Sequence, residues 1–511
     1  MRPDVALPAA STSPARNRLL DHRWFGIALS VALVTGWGLA GGLTMPRGPL
    51  TTGQALITMV LSLLVGAAAG LLTGSRWAMV GAPVLYALVY EVVRLGVEGP
   101  TVDGLRLSTY GLIAFVAGRG AHGLLAVLPM VLGAAIGAGI ARKSLTGSEP
   151  AAAGRTGRIA RRTVAAVTGV LLVALGVAVA RPASTDPITA ADPSATPVAE
   201  LTTVDVDGRP LGLLVRGHDV TNPVLLFMAG GPGGSELGAM RNHLPALEQH
   251  FTVVTWDQRG AGRSYPALDP VATLTVDSMV ADTLAVTDHL RARFGQDRIY
   301  LLGQSWGSTL GVLAVQAAPE KYVAFIGTGQ MVSQLATDTA FYQDALSWAG
   351  STGRTDLHQE LTEIGPPPYA SILNYETALT QEHEVYPYDH SANSEGAGGF
   401  SENLLVPEYS LIEQVHLLGA FMDSFTALYP QLQGIDFRDG TTRFDVPVFF
   451  VQGRNEAGGR ARLFDEWYPT IEAPAKDVTY LATSGHRPLF EQPQEFVDYL
   501  TGTVLPATQG R

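Results

Sequence analysis

The sequence contains no cysteine in 511 residues. This absence excludes disulfide scaffolds, zinc and iron–sulfur sites with cysteine ligands, and every thiol nucleophile. If the chain performs covalent catalysis, serine is the expected nucleophile. The absence also means that a compartment outside the cytoplasm would impose no disulfide requirement on the fold.

Charged residues are scarce, at 16% of the chain, and their signs are unevenly distributed. Residues 1–199 contain 16 Arg and Lys against 8 Asp and Glu, a balance of +8, whereas residues 200–511 contain 18 against 38, a balance of -20. This asymmetry indicates two environments along one chain. The shortage of basic residues in the second part argues against non-specific nucleic-acid binding, so we expect no nucleic-acid partner.

Long apolar stretches fill the first 181 residues, and each is near the length of about 20 residues that a membrane-spanning helix needs. There are five: Trp24–Met45, Gln54–Thr73, Trp77–Val97, Ala121–Ala141 and Thr163–Ala180. Repeated spans argue against a cleaved signal peptide. The shorter stretch Leu105–Ala117 is predicted to be interfacial or re-entrant. The sequence therefore predicts an all-α transmembrane bundle over residues 24–181, after a cytoplasmic tail over residues 1–23.

The basic residues indicate the orientation of this bundle. Placing the N-terminus in the cytoplasm leaves eleven Arg and Lys residues in the inside segments and four in the outside segments, which is the bias expected of cytoplasmic loops. Five spans then place everything after Arg181 on the far side of the cell membrane. The stretch Gly133–Gly139 predicts close helix packing.

Residues 182–205 are rich in Pro, Ser, Thr and Ala and are predicted to form a linker. After them, residues 206–511 alternate short apolar runs with helical patterns, which predicts a doubly wound α/β fold with a mostly parallel sheet. Residues 331–440 interrupt the alternation and are predicted to form a helical lid. The expected strands are Val224–Met228, Phe251–Trp256, Ile299–Leu302, Val323–Ile326, Val446–Val451 and Val478–Leu481.

One motif of this second part has the form of a nucleophile elbow. Gly303-Gln304-Ser305-Trp306-Gly307 follows a predicted strand and precedes a predicted helix. In that context the turn lifts the serine hydroxyl above the edge of the sheet, and the glycines make room for it.

A serine hydroxyl becomes a good nucleophile when a histidine takes its proton and an acid orients the histidine. Ser305 is followed, in the expected chain order, by Glu456 and then His486, each just after a predicted strand. Two other histidines, His416 and His390, are the nearest rivals and lie in the predicted lid. The sequence thus predicts Ser305, Glu456 and His486 as catalytic residues.

Acyl transfer also needs backbone N–H groups that bind the oxyanion. The residue after the nucleophile, Trp306, is expected to supply one of them. Gly230 and Gly231 are expected to supply the other, because they follow an early strand and carry no side chains. No motif implies a metal or an organic cofactor, so none is expected.

At this point the chain resembles the α/β-hydrolase superfamily and, within it, the proline iminopeptidase-like serine peptidases. The resemblance covers roughly residues 200–511. It rests on Gly230-Gly231-Pro232-Gly233-Gly234, Asp257-Gln258-Arg259-Gly260-Ala261-Gly262-Arg263-Ser264, Gly303-Gln304-Ser305-Trp306-Gly307-Ser308, Ser484-Gly485-His486-Arg487-Pro488 and Glu491-Gln492-Pro493. It implies Ser305 as nucleophile, His486 as general base, and release of an N-terminal residue, often proline, from short peptides.

The chain departs from the family pattern at two positions. Ala229 stands where the family usually has histidine, and Glu456 stands where it usually has aspartate. The resemblance also implies lid acids that bind the substrate α-amino group, and Glu413 is predicted to be one.

Two alternatives remain open at this stage. The second part could be an esterase for small acyl or lipid-derived substrates, which needs no amine-binding acid. It could also be a non-catalytic sensor or binding domain of a membrane protein. In the enzymatic readings the partner is a small peptide or ester, and the oligomeric state is not indicated.

Overall fold

The computed structural model describes residues 14–146, 155–189, 192–386 and 399–509. The chain divides into two compact units. One, the helical unit, comprises residues up to Val97 together with Gly118–Ala180; the other, the sheet unit, comprises Glu98–Ala117 and Arg181–Arg511. Most of the predicted cytoplasmic tail, residues 1–13, lies outside the described residues.

Long apolar helices form the helical unit. They are α1 (Pro14–Thr44), α2 (Thr52–Thr73), α3 (Ala78–Val93), α5 (Ala121–Thr146) and α6 (Arg155–Ala180). Four helical stretches of the described residues are long and apolar enough to cross a membrane, namely Trp24–Thr44, Thr52–Thr73, Thr109–Lys143 and Arg162–Ala180. The third predicted span is α3, which has 16 residues and is therefore about 24 Å long.

Helices α2 and α5 approach each other so closely that glycine is needed at their contact. A Cβ on Gly133 would lie 2.0 Å from the carbonyl oxygen of Leu63, and one on Gly137 would lie 2.0 Å from that of Ala67. The predicted close packing is confirmed at these two glycines. It is not found at Gly139, where a Cβ would meet nothing within 4 Å.

The sheet unit is built on an eight-stranded sheet with the order β1-β2-β4-β3-β5-β6-β7-β8. Strands β3 to β8 pair in parallel, whereas β1 pairs with β2, and β2 with β4, in antiparallel fashion. The strands are β1 (Val198–Val206), β2 (Arg209–Gly217), β3 (Val224–Met228), β4 (Thr252–Trp256), β5 (Ile299–Gln304), β6 (Tyr322–Thr328), β7 (Val448–Gly453) and β8 (Lys476–Leu481). The central strands are fully buried, as continuous apolar runs in a covered parallel sheet should be.

The six predicted strands correspond to β3–β8, with ends that differ by up to two residues. The linker prediction was too long, because β1 begins at Val198. The first part of the predicted linker is also hydrogen-bonded to the rest of the sheet unit. The Ser184 amide donates to the Pro407 carbonyl at 2.8 Å, and Arg216 donates to the Asp186 carbonyl at 2.7 Å. Composition alone missed this strand, because Thr and Asp alternate with its apolar residues.

Helices cover the sheet and form the lid between β6 and β7. The remaining helices are α4 (Thr109–Phe115), α7 (Leu237–His243), α8 (Val276–Phe294), α9 (Trp306–Ala317), α10 (Gln334–Ser351), α11 (Thr355–Ile364), α12 (Ile372–Leu379), α13 (Glu382–Val385), α14 (Phe400–Leu404), α15 (Leu411–Leu432), α16 (Gly458–Trp467), α17 (Pro488–Glu491), α18 (Pro493–Tyr499) and α19 (Leu505–Thr508). The lid comprises α10–α15, and residues 387–398 within it lie outside the described residues. Because the sheet is parallel, the ends of β3, β5, β7 and β8 meet at one edge beneath this lid.

Candidate active site

Ser305 stands in a strained turn between β5 and α9. Its φ is 53° and its ψ is -118°, a conformation that residues with a side chain rarely adopt,. The turn depends on its glycines: a Cβ on Gly303 would lie 2.2 Å from the Gly307 carbonyl oxygen, and one on Gly307 would lie 2.1 Å from the Met228 carbonyl oxygen. The predicted strand–turn–helix context of the serine is therefore confirmed.

His486 and Glu456 form a chain of hydrogen bonds with Ser305. The Nε2 atom of His486 lies 2.9 Å from the Ser305 hydroxyl oxygen, and its Nδ1 atom lies 2.6 Å from Oε2 of Glu456. Ser305 follows β5, Glu456 follows β7 and His486 follows β8. In sequence, His486 lies 181 positions after Ser305 and 30 positions after Glu456. With Nδ1 donating to the carboxylate, Nε2 is free to accept the serine proton.

The Glu456 carboxylate is held by more than the histidine. Its other oxygen, Oε1, accepts the Ala457 amide and the Nε–H of Arg460, each at 2.8 Å. Burial raises the pKa of Glu456, but the charges and hydrogen bonds of His486 and Arg460 outweigh burial and hold the pKa well below its usual value. The acid is thus ionised and able to orient the imidazole and stabilise its charged form. Sequence reasoning missed Arg460, which lies in the first turn of α16, four residues after Glu456.

Two of the three predicted oxyanion donors remain available. Trp306 is the first residue of α9 and therefore has no acceptor within the helix,. Neither its amide nor that of Gly231 donates to another described residue, and both residues line the cavity at Ser305. The Gly230 amide instead donates to Oε2 of Glu236 at 3.0 Å. The prediction for Gly230 is therefore wrong in its role, because a buried carboxylate already occupies its N–H.

Gln258 is hydrogen-bonded both to the residue before the glycine-rich loop (residues 230–234) and to the first residue of α9. The side-chain amide of Gln258 donates to the Ala229 carbonyl oxygen at 3.0 Å, and its oxygen accepts the indole N–H of Trp306 at 2.8 Å. Gln258 is buried. It therefore connects the glycine-rich loop with the start of α9, a contact that the sequence did not reveal.

Glu413, the predicted amine-binding acid, is a helix cap. Its Oε2 accepts the Ser410 amide at 2.7 Å, the Ser410 hydroxyl accepts the Glu413 amide at 3.4 Å, and its Oε1 lies 3.4 Å from Nε of Arg263. Glu413 does not line the cavity at Ser305. The prediction was wrong because Ser410-Leu411-Ile412-Glu413 is a capping box, whose sequence pattern was readable at the start of α15.

Ser305, Trp306 and His486 open into a cavity of about 570 Å³. Part of its wall is apolar, with Ile113, Leu379, Leu418, Phe421, Met422 and Phe425 among the lining residues. Three acids also line it: Glu236, Glu382 and Glu491. The cavity thus combines an apolar wall with a few polar groups near the serine, as small-molecule sites generally do.

The rival histidines do not join this cluster. His416 is buried in the lid, where its ring stacks on Tyr265 with 4.7 Å between centroids. His390 lies outside the described residues. Within the described ranges, no group of three or more His, Asp or Glu residues is arranged to hold a metal ion.

The chain is similar to known proteins over its sheet unit. The family model described as the alpha/beta hydrolase fold matches residues 223–457. "Probable aminopeptidase YbaC" of Bacillus subtilis (strain 168) is 28% identical over 320 residues, which is 60% of this chain and 97% of that protein. "Probable proline iminopeptidase" of Leptolyngbya boryana is 32% identical over 154 residues, 30% of this chain and 43% of that protein.

Among solved structures, a proline iminopeptidase-related protein from Thermus thermophilus matches at 20% identity with a TM-score of 0.42, covering 61% of this chain and 98% of that one. The family match, which includes Ser305 and Glu456, and the curated relatives converge on one architecture. The sheet unit has the α/β hydrolase fold, it follows helices apolar enough to span a membrane, and its sequence is similar to those of proteins named as proline iminopeptidases.

Proposed function

We propose that this protein is a serine hydrolase that works by acyl transfer, with Ser305 as nucleophile, His486 as general base and Glu456 as the orienting acid. The observation that carries the proposal is the continuous hydrogen-bond chain from the Ser305 hydroxyl through the imidazole to the buried carboxylate. The strained turn at Ser305 adds support, because such strain is retained where a side chain must project into a site.

The proposed reaction follows from these positions. Ser305 Oγ attacks the substrate carbonyl carbon while His486 Nε2 takes the hydroxyl proton, and the carbonyl oxygen becomes an oxyanion between the Trp306 and Gly231 amides. His486 then gives the proton to the leaving amine or alcohol, and water releases the acyl group from the serine by the same steps in reverse order. Each oxyanion donor contributes about 3 kcal/mol of transition-state stabilisation.

Within this chemistry we propose an aminopeptidase that releases N-terminal residues from short peptides, as the names of the curated relatives suggest. Such an enzyme needs a carboxylate that binds the substrate ammonium group. Glu382 in the lid fits this role better than Glu413, because it lines the cavity and Arg460 donates to it. Burial raises the pKa of Glu382, but the charges of Arg460 and His486 outweigh burial and lower it, so the carboxylate is ionised at neutral pH.

We also propose that the helical unit anchors the enzyme in the cell membrane, with the N-terminus in the cytoplasm and the sheet unit outside. Glu98–Ala117 and Arg181–Arg511 fold as one unit, and the chain between them contains two apolar helices, α5 and α6. Two crossings return the chain to the same side, as one folded unit requires. The proposed outside position of this unit also requires that α3 cross the membrane, as α1 and α2 do.

The catalytic assignment is tested on the full chain in detergent with a fluorophosphonate probe, which reacts only with an activated serine. We expect the wild type to be labelled and Ser305→Ala to lose both labelling and hydrolysis, with kcat falling by about 10⁴-fold or more. Thermal unfolding should be nearly unchanged in this variant. A wild type that resists the probe would support the non-catalytic sensor or binding alternative, and full activity in Ser305→Ala would overturn the nucleophile assignment.

The peptidase assignment is tested with matched substrates, such as proline and alanine p-nitroanilides with a free or an acetylated amine, and with p-nitrophenyl esters. Glu382→Gln should raise KM for the free-amine substrates about tenfold or more, because a charged hydrogen bond is lost, and leave esters without an amine unaffected. Glu413→Gln is the control and should leave KM unchanged. Equal turnover of free and acetylated substrates would favour the esterase.

A further inference from the structure

The segment Glu98–Ala117 folds with the sheet unit, although in sequence it lies between two helices of the helical unit. Its first anchor is the buried carboxylate of Asp423 on lid helix α15. This carboxylate accepts the Thr101 amide at 3.1 Å and the Thr101 hydroxyl at 2.6 Å, and it also accepts the Tyr265 hydroxyl at 2.8 Å. Thr101 and Asp423 are both 2% exposed or less. A buried network of this kind fixes the position of the segment.

A second anchor holds the start of α4. Ser108 caps this helix by accepting the Gly111 amide at 3.1 Å, and the Tyr110 amide donates to Oε1 of Glu376 at 3.0 Å. Glu376 lies on lid helix α12 and is buried. The first turn of α4 is therefore attached to lid helix α12, while Thr101 is attached to lid helix α15.

This attachment brings one face of α4 into the cavity at Ser305. Tyr110 and Ile113, three residues apart and so on the same helical face, both line that cavity,. The Tyr110 ring packs edge-on against Phe421 of the lid, with 6.2 Å between centroids and 83° between planes. Leu112 points elsewhere: its side chain is 48% exposed and does not line the cavity.

We propose that Tyr110 and Ile113 are specificity-determining residues, which form the part of the wall that receives an apolar side chain of the substrate. The inference rests on the proposed function of the Ser305 site and deepens it. Ile113 and Tyr110 continue the apolar wall made by Leu379 and Phe421. The segment between α3 and α5 thus has a role in choosing substrates, and a protein that begins after residue 181 lacks part of its own binding site.

The test compares Ile113→Trp with Leu112→Trp in the full chain, because the two positions are adjacent on one helix and only the first faces the cavity. Alanine and phenylalanine p-nitroanilides serve as small and large substrates. We expect Ile113→Trp to lower kcat/KM for the phenylalanine substrate about tenfold or more relative to alanine, chiefly through KM. Leu112→Trp should leave that ratio within about twofold of wild type. Equal ratios in the two variants would overturn the proposal.

A binding measurement separates this inference from the proposed function. Calorimetric titration of phenylalanine amide and alanine amide into Ser305→Ala, alone and combined with either tryptophan variant, needs no turnover. Suppose that the wild type hydrolyses neither substrate, and that Ile113→Trp selectively weakens the binding of phenylalanine amide. The wall assignment then holds and the proposed function fails. If the wild type hydrolyses both substrates and Ile113→Trp changes neither ratio nor binding, the wall assignment fails alone. If the wild type hydrolyses neither substrate and Ile113→Trp also leaves the binding of both amides unchanged, the wall assignment and the proposed function both fail.

Discussion

Glycine is frequent in both units, and the missing side chain serves a different purpose in each. In the helical unit, Gly66 of α2 and Gly133 of α5 let two backbones touch: added Cβ atoms would lie 2.1 Å from the Met130 carbonyl oxygen and 2.0 Å from that of Leu63. In the sheet unit, a Cβ on Gly230 would lie 2.3 Å from the side-chain oxygen of Gln304. The first arrangement increases apolar contact between helices, whereas the second makes room for polar groups around the serine.

Glycines in the helical unit therefore affect the stability of that unit, whereas glycines near Ser305 affect the chemistry of the site. The atoms nearest Gly66 and Gly133 belong to the backbones of Met130 and Leu63, so this contact contributes through packing. The glycines near Ser305 instead surround a carboxylate, a histidine and free amides, where small displacements affect reaction geometry. Substitution of glycines in the two units should therefore have different consequences.

The largest effect is expected for Gly307→Ala. The new Cβ would lie 2.1 Å from the Met228 carbonyl oxygen of the neighbouring strand, so α9 must move and carry Ser305 and Trp306 with it. We expect the rate of fluorophosphonate labelling to fall at least about 100-fold.

The matched control for Gly307→Ala is Gly434→Ala, because a Cβ on Gly434 would meet nothing within 4 Å. It should label at the wild-type rate. Comparable rates for the two variants would show that room at Gly307 does not limit the geometry of the site.

A smaller effect is expected from the buried acid beside the glycine-rich loop. Burial raises the pKa of Glu236 from 4.5 to about 7, although the Gly230 amide and the charge of Arg487 oppose the rise. The contribution of this acid to stability is complete below pH 4.5 and is lost as the pH rises to 7, because over that range the unfolded chain releases the proton while the folded chain still holds it. The loss amounts to about 3 kcal/mol.

Glu236→Gln keeps an acceptor for the Gly230 amide and removes the titration. The free energy of unfolding of the variant, relative to wild type, should therefore increase between pH 5 and pH 8, as measured by denaturation in detergent at four pH values. A difference that stays constant with pH would contradict the assigned pKa direction and leave Glu236 as a simple hydrogen-bond acceptor.

The sequence predicted the parts of the site that follow from local rules. Ser305, Glu456 and His486 each follow a parallel strand, and such strand ends meet at one edge of the sheet whatever the length of the chain between them. Glu413 was misassigned because family resemblance was preferred to a local signal, the capping box with Ser410. The chemistry of a residue is thus best predicted where chain order and secondary structure agree.

Other features depend on contacts between residues far apart in sequence. Asp423 and Thr101 are 322 positions apart, and nothing local to either indicates that the segment Glu98–Ala117 would join the lid. Its short apolar stretch was predicted as interfacial or re-entrant from length alone. Gln258 likewise gains its role only when the loops bearing Ala229 and Trp306 meet. Tertiary packing decides such pairings, and periodicity does not report them.

The smallest effect is expected at the helix contact of the helical unit. Gly133→Ala would force the Leu63 carbonyl oxygen of α2 away from α5 and should destabilise the helical unit by about 1–3 kcal/mol. Gly139→Ala, on the same helix, meets nothing within 4 Å and serves as the matched control; thermal unfolding in detergent measures both. Because no residue of the proposed catalytic chain belongs to the helical unit, both variants should keep wild-type fluorophosphonate labelling below the unfolding temperature. Loss of labelling in Gly133→Ala alone would show that helix packing also governs the site, and that the two uses of glycine are coupled.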